Sequence, residues 1–288
     1  MKILVIGGTG TVGSKVVDEL RSRNVDVSVL TRNTAKIDNL PHGVKGIQGD
    51  LLDVETIRSA FKGMDGVFML NGVSLTETHE GIMAVNGARM AGVKRFVYMS
   101  VHNLDLAPYL PHFGSKISIE IAIKASGIPY TILRPNHFYQ NDYMFKDALL
   151  QYNVWPQPIG NIGLSRVDVR DIAEAAAIAL TTDGHDGKTY NLVGPDVFTG
   201  NSVAETWSNV LGRPIVYVGD DLITWEQQAL NYLPAWLVFD LSLMFAYFQK
   251  NGLKATTKDI ELLTQLLGHT PRSFIDFAKE TANEWQKA

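Results

Sequence analysis

The opening twenty residues narrow the possible folds more than any other stretch of this chain. Met1-Lys-Ile-Leu-Val-Ile-Gly-Gly-Thr-Gly-Thr-Val-Gly13 runs directly into Ser14-Lys-Val-Val-Asp-Glu-Leu20. Ile3 to Ile6 is a short, β-branched apolar run, the pattern of a buried parallel strand, and Val12, Val16, Val17 and Leu20 recur at helical spacing. Between them Gly7, Gly10 and Gly13 form G-x-x-G-x-x-G, with Gly8 as a fourth glycine. A plain strand-to-helix turn needs only one or two. This many suit a backbone that turns tightly, lets a pyrophosphate approach closely and packs helix on strand. The helix that follows begins with unpaired N–H groups and a partial positive charge, which attract phosphate. Gly7, Gly8, Thr9, Gly10, Thr11, Val12 and Gly13 are therefore the candidate phosphate loop of a dinucleotide site.

Strand and helix alternate from there. Val25 to Leu30 reads as a second strand and Val44 to Gln48 as a third, followed by a helix through Ile57 and Phe61 with Asp53 as its N-cap. Gly66 to Leu70 is a fourth strand, Leu75 to Ala91 a helix stopped by Gly92, and Lys94 to Ser100 a fifth strand. This order predicts an α/β fold with a doubly wound parallel sheet, whose ligands bind at the carboxyl ends of the strands. Asn71, Ser100, His102 and the segment after Arg134 fall at that edge. So does Thr31-Arg32-Asn33 at the end of the second strand. An acid there would bind the 2′-hydroxyl of NAD, and an arginine would accept a 2′-phosphate. The acid is absent and Arg32 is present, so NADP is expected over NAD; the competing reading of Arg32 is a solvated surface side chain.

Gly114 to Ser126 is ambiguous, because Ile117, Ile119, Ile121 and Ile123 alternate with the period of a strand. A helix is expected all the same: Gly127 supplies a stop, and Ile128 to Leu133 is the better strand and needs a crossover before it. Wound as a helix, the isoleucines occupy two faces, one for the sheet and one for another segment or subunit. Beyond Pro135, Asn136 to Gln151 reads as helical, Trp155 to Pro158 as loop, Asp171 to Leu180 as helix and Lys188 to Val193 as strand. Asn201 or Ser202 is expected to cap a helix to Leu211, with Pro214 to Val218 a short strand and the remainder helical, Thr270-Pro271 serving as N-cap and N1. Asp168 and Asp171 read as helix caps. Tyr232 to Phe248 is rich in Leu, Phe and Trp but is interrupted by Pro234, Asp240 and Ser242 and falls short of the roughly 20 apolar residues of a membrane span. Its aromatic residues, with Trp225, suit a substrate lid, a core or an oligomer interface.

Composition removes several functions. At 288 residues and 45% hydrophobic, the chain can bury a core for one large or two small domains. A net charge of −4 with no basic block gives no argument for nucleic acid or an anionic membrane. The absence of cysteine excludes disulfides, thiolate catalysis and cysteine-ligated metal. The histidines show no metal-ligand spacing, no Ser/His/Asp triad can be assembled, and the apolar run at the start is too short for a signal peptide. A cytoplasmic location is expected.

The glycine segment, Thr31-Arg32-Asn33, Gly49-Asp50, Val97-Tyr-Met-Ser100, Lys116, Ser126-Gly-Ile-Pro-Tyr-Thr-Ile-Leu-Arg-Pro135 and Val167-Asp-Val-Arg-Asp-Ile-Ala173 together resemble the NmrA-like branch of the atypical short-chain dehydrogenase/reductases. The likeness runs over nearly the whole chain, and in length and pattern it is similar to the triphenylmethane reductases and the NADPH-dependent quinone reductases. The resemblance implies a Rossmann-type core that binds NADP(H), without metal or flavin. It also implies a smaller, mostly helical substrate domain. The core would take residues 1–135 and about 164–194, the substrate domain 136–163 and about 195–288. By matching position, the pyrophosphate would meet Gly7 to Gly13, Arg32 the 2′-phosphate, Asp50 and Leu51 the adenine, and Asn71 the ribose. Asn136, His137 and Phe138 would border the nicotinamide, with His137 and Phe138 toward the substrate.

One departure bears on the chemistry. Short-chain dehydrogenases carry Tyr-x-x-x-Lys, the tyrosine as general acid; this chain has His112-Phe-Gly-Ser-Lys116, so the lysine is kept and the tyrosine replaced. His112 is open to three readings: a substitute acid, a substrate-binding ring, or an exposed loop residue. Lys116 is a candidate catalytic and cofactor residue, or else a surface lysine paired with Glu120 one turn on. Reducing an isolated carbonyl calls for a proton donor, whereas a quinone, an azo dye or a triarylmethyl cation delocalises or cancels the charge. For such acceptors positioning alone can supply roughly 7–11 kcal/mol. The expected function is hydride transfer from NADPH to a small aromatic or conjugated substrate, by a monomer or homodimer. The alternative is a non-catalytic NADP-binding regulator that senses redox state.

Overall fold

Ile3, Leu4, Val5 and Ile6 are all buried, as the unbroken apolar run requires, and they form an inner strand, third from one edge, of a seven-stranded sheet. The computed structural model describes residues 1–287. Along the chain these are β1 (Lys2–Ile6), α1 (Thr11–Ser22), β2 (Asp26–Thr31), β3 (Lys45–Gln48), α2 (Val54–Ala60), β4 (Gly66–Met69), α3 (Glu77–Met90), β5 (Arg95–Met99), α4 (Pro111–Ala125) and β6 (Tyr130–Pro135). Then come α5 (Lys146–Gln151), β7 (Val154–Trp155), α6 (Val169–Thr181), β8 (Lys188–Leu192), α7 (Gly200–Leu211), β9 (Val216–Tyr217), α8 (Leu222–Ala229), α9 (Ala235–Asn251), α10 (Thr257–Leu267) and α11 (Phe274–Lys287). The chain divides into two compact units, Met1–Pro135 with Val169–Asn191, and Asn136–Asp168 with Leu192–Ala288.

The first unit is a Rossmann-type α/β layer structure. Its strand order is β3-β2-β1-β4-β5-β6-β8, parallel from β3 through β6. Ile6 stands opposite both Leu30 and Met69, so the turns after β1, β2 and β4 open at one edge. Alternate residues serve opposite faces. Leu4, Ile6, Val67, Phe96 and Tyr98 share a core cluster with Ile57 and Phe61, with Ala84 and Ala88 of α3, and with Ile119 and Ile123 of α4. Ile3 turns the other way, where α6 lies: a Cβ on Gly66 would meet Ile3 Cδ1 and Leu180 Cδ2. There α1 packs against α6.

Helix α4 settles the ambiguous isoleucines. It starts earlier than Gly114, at Pro111, whose fixed φ and missing N–H suit the first turn. Ile119 and Ile123 are buried, while Ile121 is 61% exposed. Only one isoleucine face meets the sheet; the other is not covered by the chain at Ile121.

The second unit departs from the sequence expectations in four places. Trp155, expected to open a loop, instead forms a strand with Val154, paired in parallel with β9, a partner about sixty residues on that no local pattern reveals. Residues after Asn136 are first extended, with Phe138 bridged to Val167, then a 3-10 turn at Tyr139–Phe145; regular helix begins only at Lys146. The cap of α7 is Thr199, not Asn201 or Ser202: its hydroxyl accepts from Ser202 N, and Ser202 Oγ accepts in return from Thr199 N. Helix α11 begins at Phe274, after Ser273, whose Oγ accepts from Asp276 N, so Thr270-Pro271 lies outside it. The aromatic residues after 220 divide: Trp225 packs on Phe245 at 5.0 Å, and Phe245 and Phe248 are buried, while Tyr232 and Phe239 are exposed. Among the described residues no helix is long and apolar enough to cross a membrane.

Candidate functional site

The three spaced glycines have two different reasons to be glycine. Gly7 has φ +83°, and a Cβ there would come 2.3 Å from Leu70 O; a Cβ on Gly13 would come 2.1 Å from Gly7 O. Both are demanded by the turn itself. Gly10 has φ −96° and ψ 177°, open to any residue, and the nearest heavy atom to a Cβ would be 3.5 Å away. Gly10 is the N-cap of α1, where no side chain caps the helix and no acid stands in the first turn. Its missing side chain leaves room at a helix terminus whose N–H groups call for an anion. Thr11 is exposed, whereas Val12 and Gly13 are buried, so those two offer only backbone.

A cavity of about 280 Å³ runs from this loop along the carboxyl edge of the sheet. Gly7, Thr9, Thr31, Arg32, Asp50, Leu51 and Asn71 line it, which brings seven of the fifteen sequence-predicted cofactor residues together; Gly8 lines an adjoining recess with Thr9. Lys36 lines it too, and sequence reasoning had passed over this residue; four positions beyond Arg32, it was the one further cation in that loop. A 3-10 turn, Thr34–Lys36, holds it, capped by Asn33 Oδ1 accepting from Ala35 N at 3.0 Å. Arg32 is 69% exposed, with Nη1 4.0 Å from Glu80 Oε1. Asp50 Oδ1 accepts from Leu52 N at 2.9 Å, an Asx turn that presents Asp50 and Leu51 at the edge. The donors and the space fit a dinucleotide carrying a further phosphate.

Lys116 does not pair with Glu120. Its Nζ lies 2.8 Å from Glu77 Oε1, and Glu77 Oε2 lies 3.1 Å from His112 Nδ1, with the carboxylate and the ammonium almost wholly buried and the imidazole 20% exposed. Asn71 joins them: its Nδ2 donates to Glu77 O at 2.8 Å, and its Oδ1 accepts from Lys116 Nζ at 3.4 Å. Burial pushes the Glu77 pKa up, but the His112 hydrogen bond and the Lys116 charge outweigh it and hold the group below the ordinary carboxylate range. Burial lowers the Lys116 pKa against the opposing pull of Glu77. Tyr98 lies beneath, its ring centroid 5.3 Å from Lys116 Nζ, and burial together with Glu77 and Glu120 keeps its phenol protonated. Glu77 was missed from the sequence, since nothing local marks a glutamate 35 residues before His112.

Glu120 serves another cluster. It accepts from Ser100 Oγ at 2.6 Å, Arg134 Nη2 at 2.7 Å and Lys124 Nζ at 3.0 Å. The Ser100 hydroxyl is thereby turned toward Glu120, and His102 is wholly buried.

Asn136, His137 and Phe138 belong to the second unit. Asn136 Nδ2 donates to Leu253 O at 2.7 Å, and its Oδ1 accepts from His137 N. His137 Nδ1 accepts from Arg166 Nε at 3.3 Å, and its Nε2 lies 3.0 Å from the amide nitrogens of Asn141 and Gln157. Burial and the Arg166 charge hold its pKa well below the usual histidine value, so the ring is neutral. Phe138 is half-buried, and its carbonyl accepts from Arg166 Nη2 at 2.9 Å.

Residues 1–273 match the model of the NmrA-like family. The chain is 32% identical over 287 residues to the NAD(P)H azoreductase of Xenophilus azovorans, covering 97% of this chain and 98% of that relative. It superposes on the Escherichia coli NADPH-dependent quinone oxidoreductase in complex with NADPH with a TM-score of 0.86 at 25% identity, over 98% of this chain and all of that one. The triphenylmethane reductase of Citrobacter sp. complexed with NADP(H) gives a TM-score of 0.83 at 25% identity, over 97% of this chain and 99% of that one. With a sheet order, a glycine turn and a full-length match of this kind, the chain belongs to the NmrA-like family.

Proposed function

We propose that the protein is a reductase that takes hydride from NADPH and passes it to a conjugated, fairly flat acceptor such as a quinone or an azo or triarylmethane dye. The observation that carries this reading is Gly10, a helix N-cap whose vacancy the fold itself does not require. The names of the full-length azoreductase relative and of the two reductase neighbours support the same chemistry. Bound at the glycine loop, NADPH would supply the hydride. The loop and the α1 terminus hold the pyrophosphate, Arg32 and Lys36 the 2′-phosphate, and Asn71 with Lys116 the ribose nearest the reacting ring. Their task is to align donor and acceptor, which suits substrates that stabilise their own reduced form.

Titration of the purified protein with NADPH and NADH, followed by turnover on quinones, azo dyes and simple ketones, tests this. Turnover confined to ketones overturns the acceptor class. Arg32→Ala is expected to weaken NADPH about 10- to 100-fold, the range for hydrogen bonds to a charged group, and NADH less than about 3-fold. Equal weakening of both would remove the 2′-phosphate from Arg32.

A further inference from the structure

Glu77 is the first residue of α3 and its side chain is 1% exposed. A single lysine suffices to balance a buried carboxylate, yet this one divides its two oxygens between two side chains of α4. His112 and Lys116 are four residues apart and so share a helix face, and α3 packs along that helix. Oε1 takes Lys116 Nζ at 2.8 Å and Oε2 takes His112 Nδ1 at 3.1 Å. A carboxylate only accepts, so His112 Nδ1 carries a proton and the ring exchanges protons through Nε2. The three side chains also differ in access: Lys116 and Glu77 are sealed, while the imidazole is 20% exposed and reachable by water. Asn71 links the group to the dinucleotide cavity through its bonds to Glu77 and Lys116.

From this geometry we infer that Glu77 is a positioning residue that fixes Lys116 and the Nδ1–H form of His112, so that His112 delivers through Nε2 the proton an azo acceptor needs. The inference rests on the reductase reading above. Hydride added to one nitrogen of an azo group leaves the electron pair of the broken N–N π bond on the other nitrogen. That basic nitrogen takes the Nε2 proton of the doubly protonated imidazole, giving a hydrazine and a neutral ring still bonded to Glu77; water returns the proton, and NADPH leaves as NADP+. A triarylmethyl cation differs. Hydride forms its C–H bond and cancels its charge in one step, with no proton required.

The two acceptor types therefore separate a proton-delivering role from a merely structural one. Glu77→Gln and His112→Asn are each assayed with saturating NADPH on methyl red and on malachite green, menadione replacing the latter if the wild type is inert to it. The ratio of methyl red to malachite green turnover is expected to fall about 100-fold in either variant, the low end of general acid catalysis. The double variant should fall no further than the single ones, because the two residues act as a unit. Imidazole 15N spectra should show Nδ1–H in the wild type and its loss in Glu77→Gln. An unchanged ratio, multiplicative losses in the double variant, or a wild-type ring protonated at Nε2 with no proton on Nδ1 overturns the inference. If Glu77→Gln fails to fold because Lys116 is left buried and unpaired, His112→Asn, at a side chain 20% exposed, carries the same test alone. A wild type that oxidises NADPH with none of these acceptors defeats the reductase reading itself; one that reduces malachite green or menadione but not methyl red defeats only this inference.

Discussion

Gly10→Ser is expected to leave the melting temperature unchanged or slightly raised while weakening NADPH binding at least about 30-fold. Serine is a better N-cap than glycine by a few tenths of a kcal/mol, since its hydroxyl accepts from an N–H of the first turn. The backbone at Gly10, φ −96° and ψ 177°, admits it, and with 3.5 Å to the nearest atom there is room. Yet the hydroxyl then occupies the space, and takes the N–H, that a phosphate oxygen needs. A stabilising substitution should thus abolish most of the binding. Gly13→Ala is the necessary contrast. Its Cβ would press on backbone, 2.1 Å from Gly7 O and 2.6 Å from Gly7 C, so α1 must move off the turn at a cost of about 3 kcal/mol or more. Thermal unfolding and fluorescence titration of both variants decide the matter. If Gly10→Ser binds NADPH as the wild type does, the loop is not the phosphate site; if it melts as early as Gly13→Ala, the vacancy at Gly10 belongs to the fold.

What the sequence made legible follows the range over which each interaction acts. The glycine turn, the α1 stripe of Val12, Val16, Val17 and Leu20, and the Asp53 cap are local, and each is seen in the structure: Asp53 Oδ2 accepts from Thr56 N at 2.8 Å. The alternating isoleucines of α4 wind into a two-faced helix as expected, with Ile119 and Ile123 buried and Ile121 on the face that the chain leaves exposed. Long-range pairings were not legible. Trp155 becomes strand only because Tyr217 lies beside it, and Lys116 pairs with Glu77 rather than with its own helix neighbour Glu120. Cap residues failed for a subtler reason. Thr199 and Ser202 are both good caps three positions apart, and reciprocal bonding, which a sequence does not display, makes the first of them the N-cap. The seven candidate cofactor residues that line the cavity were therefore readable, and the buried carboxylate beside Lys116 and His112 was not.

In the second unit the largest expected effect on stability is that of Asp142→Asn, about 3–5 kcal/mol in urea unfolding of the full chain. Asp142 and Arg166 are both wholly buried, with Arg166 Nη2 2.6 Å from Asp142 Oδ1, and Trp207 Nε1 donates to Asp142 Oδ2 at 2.9 Å. Phe274, Trp155 and Tyr139 surround the guanidinium, at 4.9, 5.7 and 5.8 Å from its carbon. Aromatic faces favour the cation but cannot replace its counter-ion. Asparagine keeps the shape and one acceptor for Trp207, but its amide N–H groups would face those of Arg166, leaving a buried charge uncompensated. Replacing both partners by apolar residues, as in Asp142→Leu with Arg166→Met, removes the charge as well, so the double variant should lose less than Asp142→Asn alone. The exposed pair Lys15 and Asp18, 3.9 Å apart and half in solvent, sets the other limit: Asp18→Asn should change stability by under about 1 kcal/mol. A loss for Asp142→Asn as small as that for Asp18→Asn would mean that water reaches Arg166, and His137, whose Nδ1 leans on the same guanidinium, would lose that support.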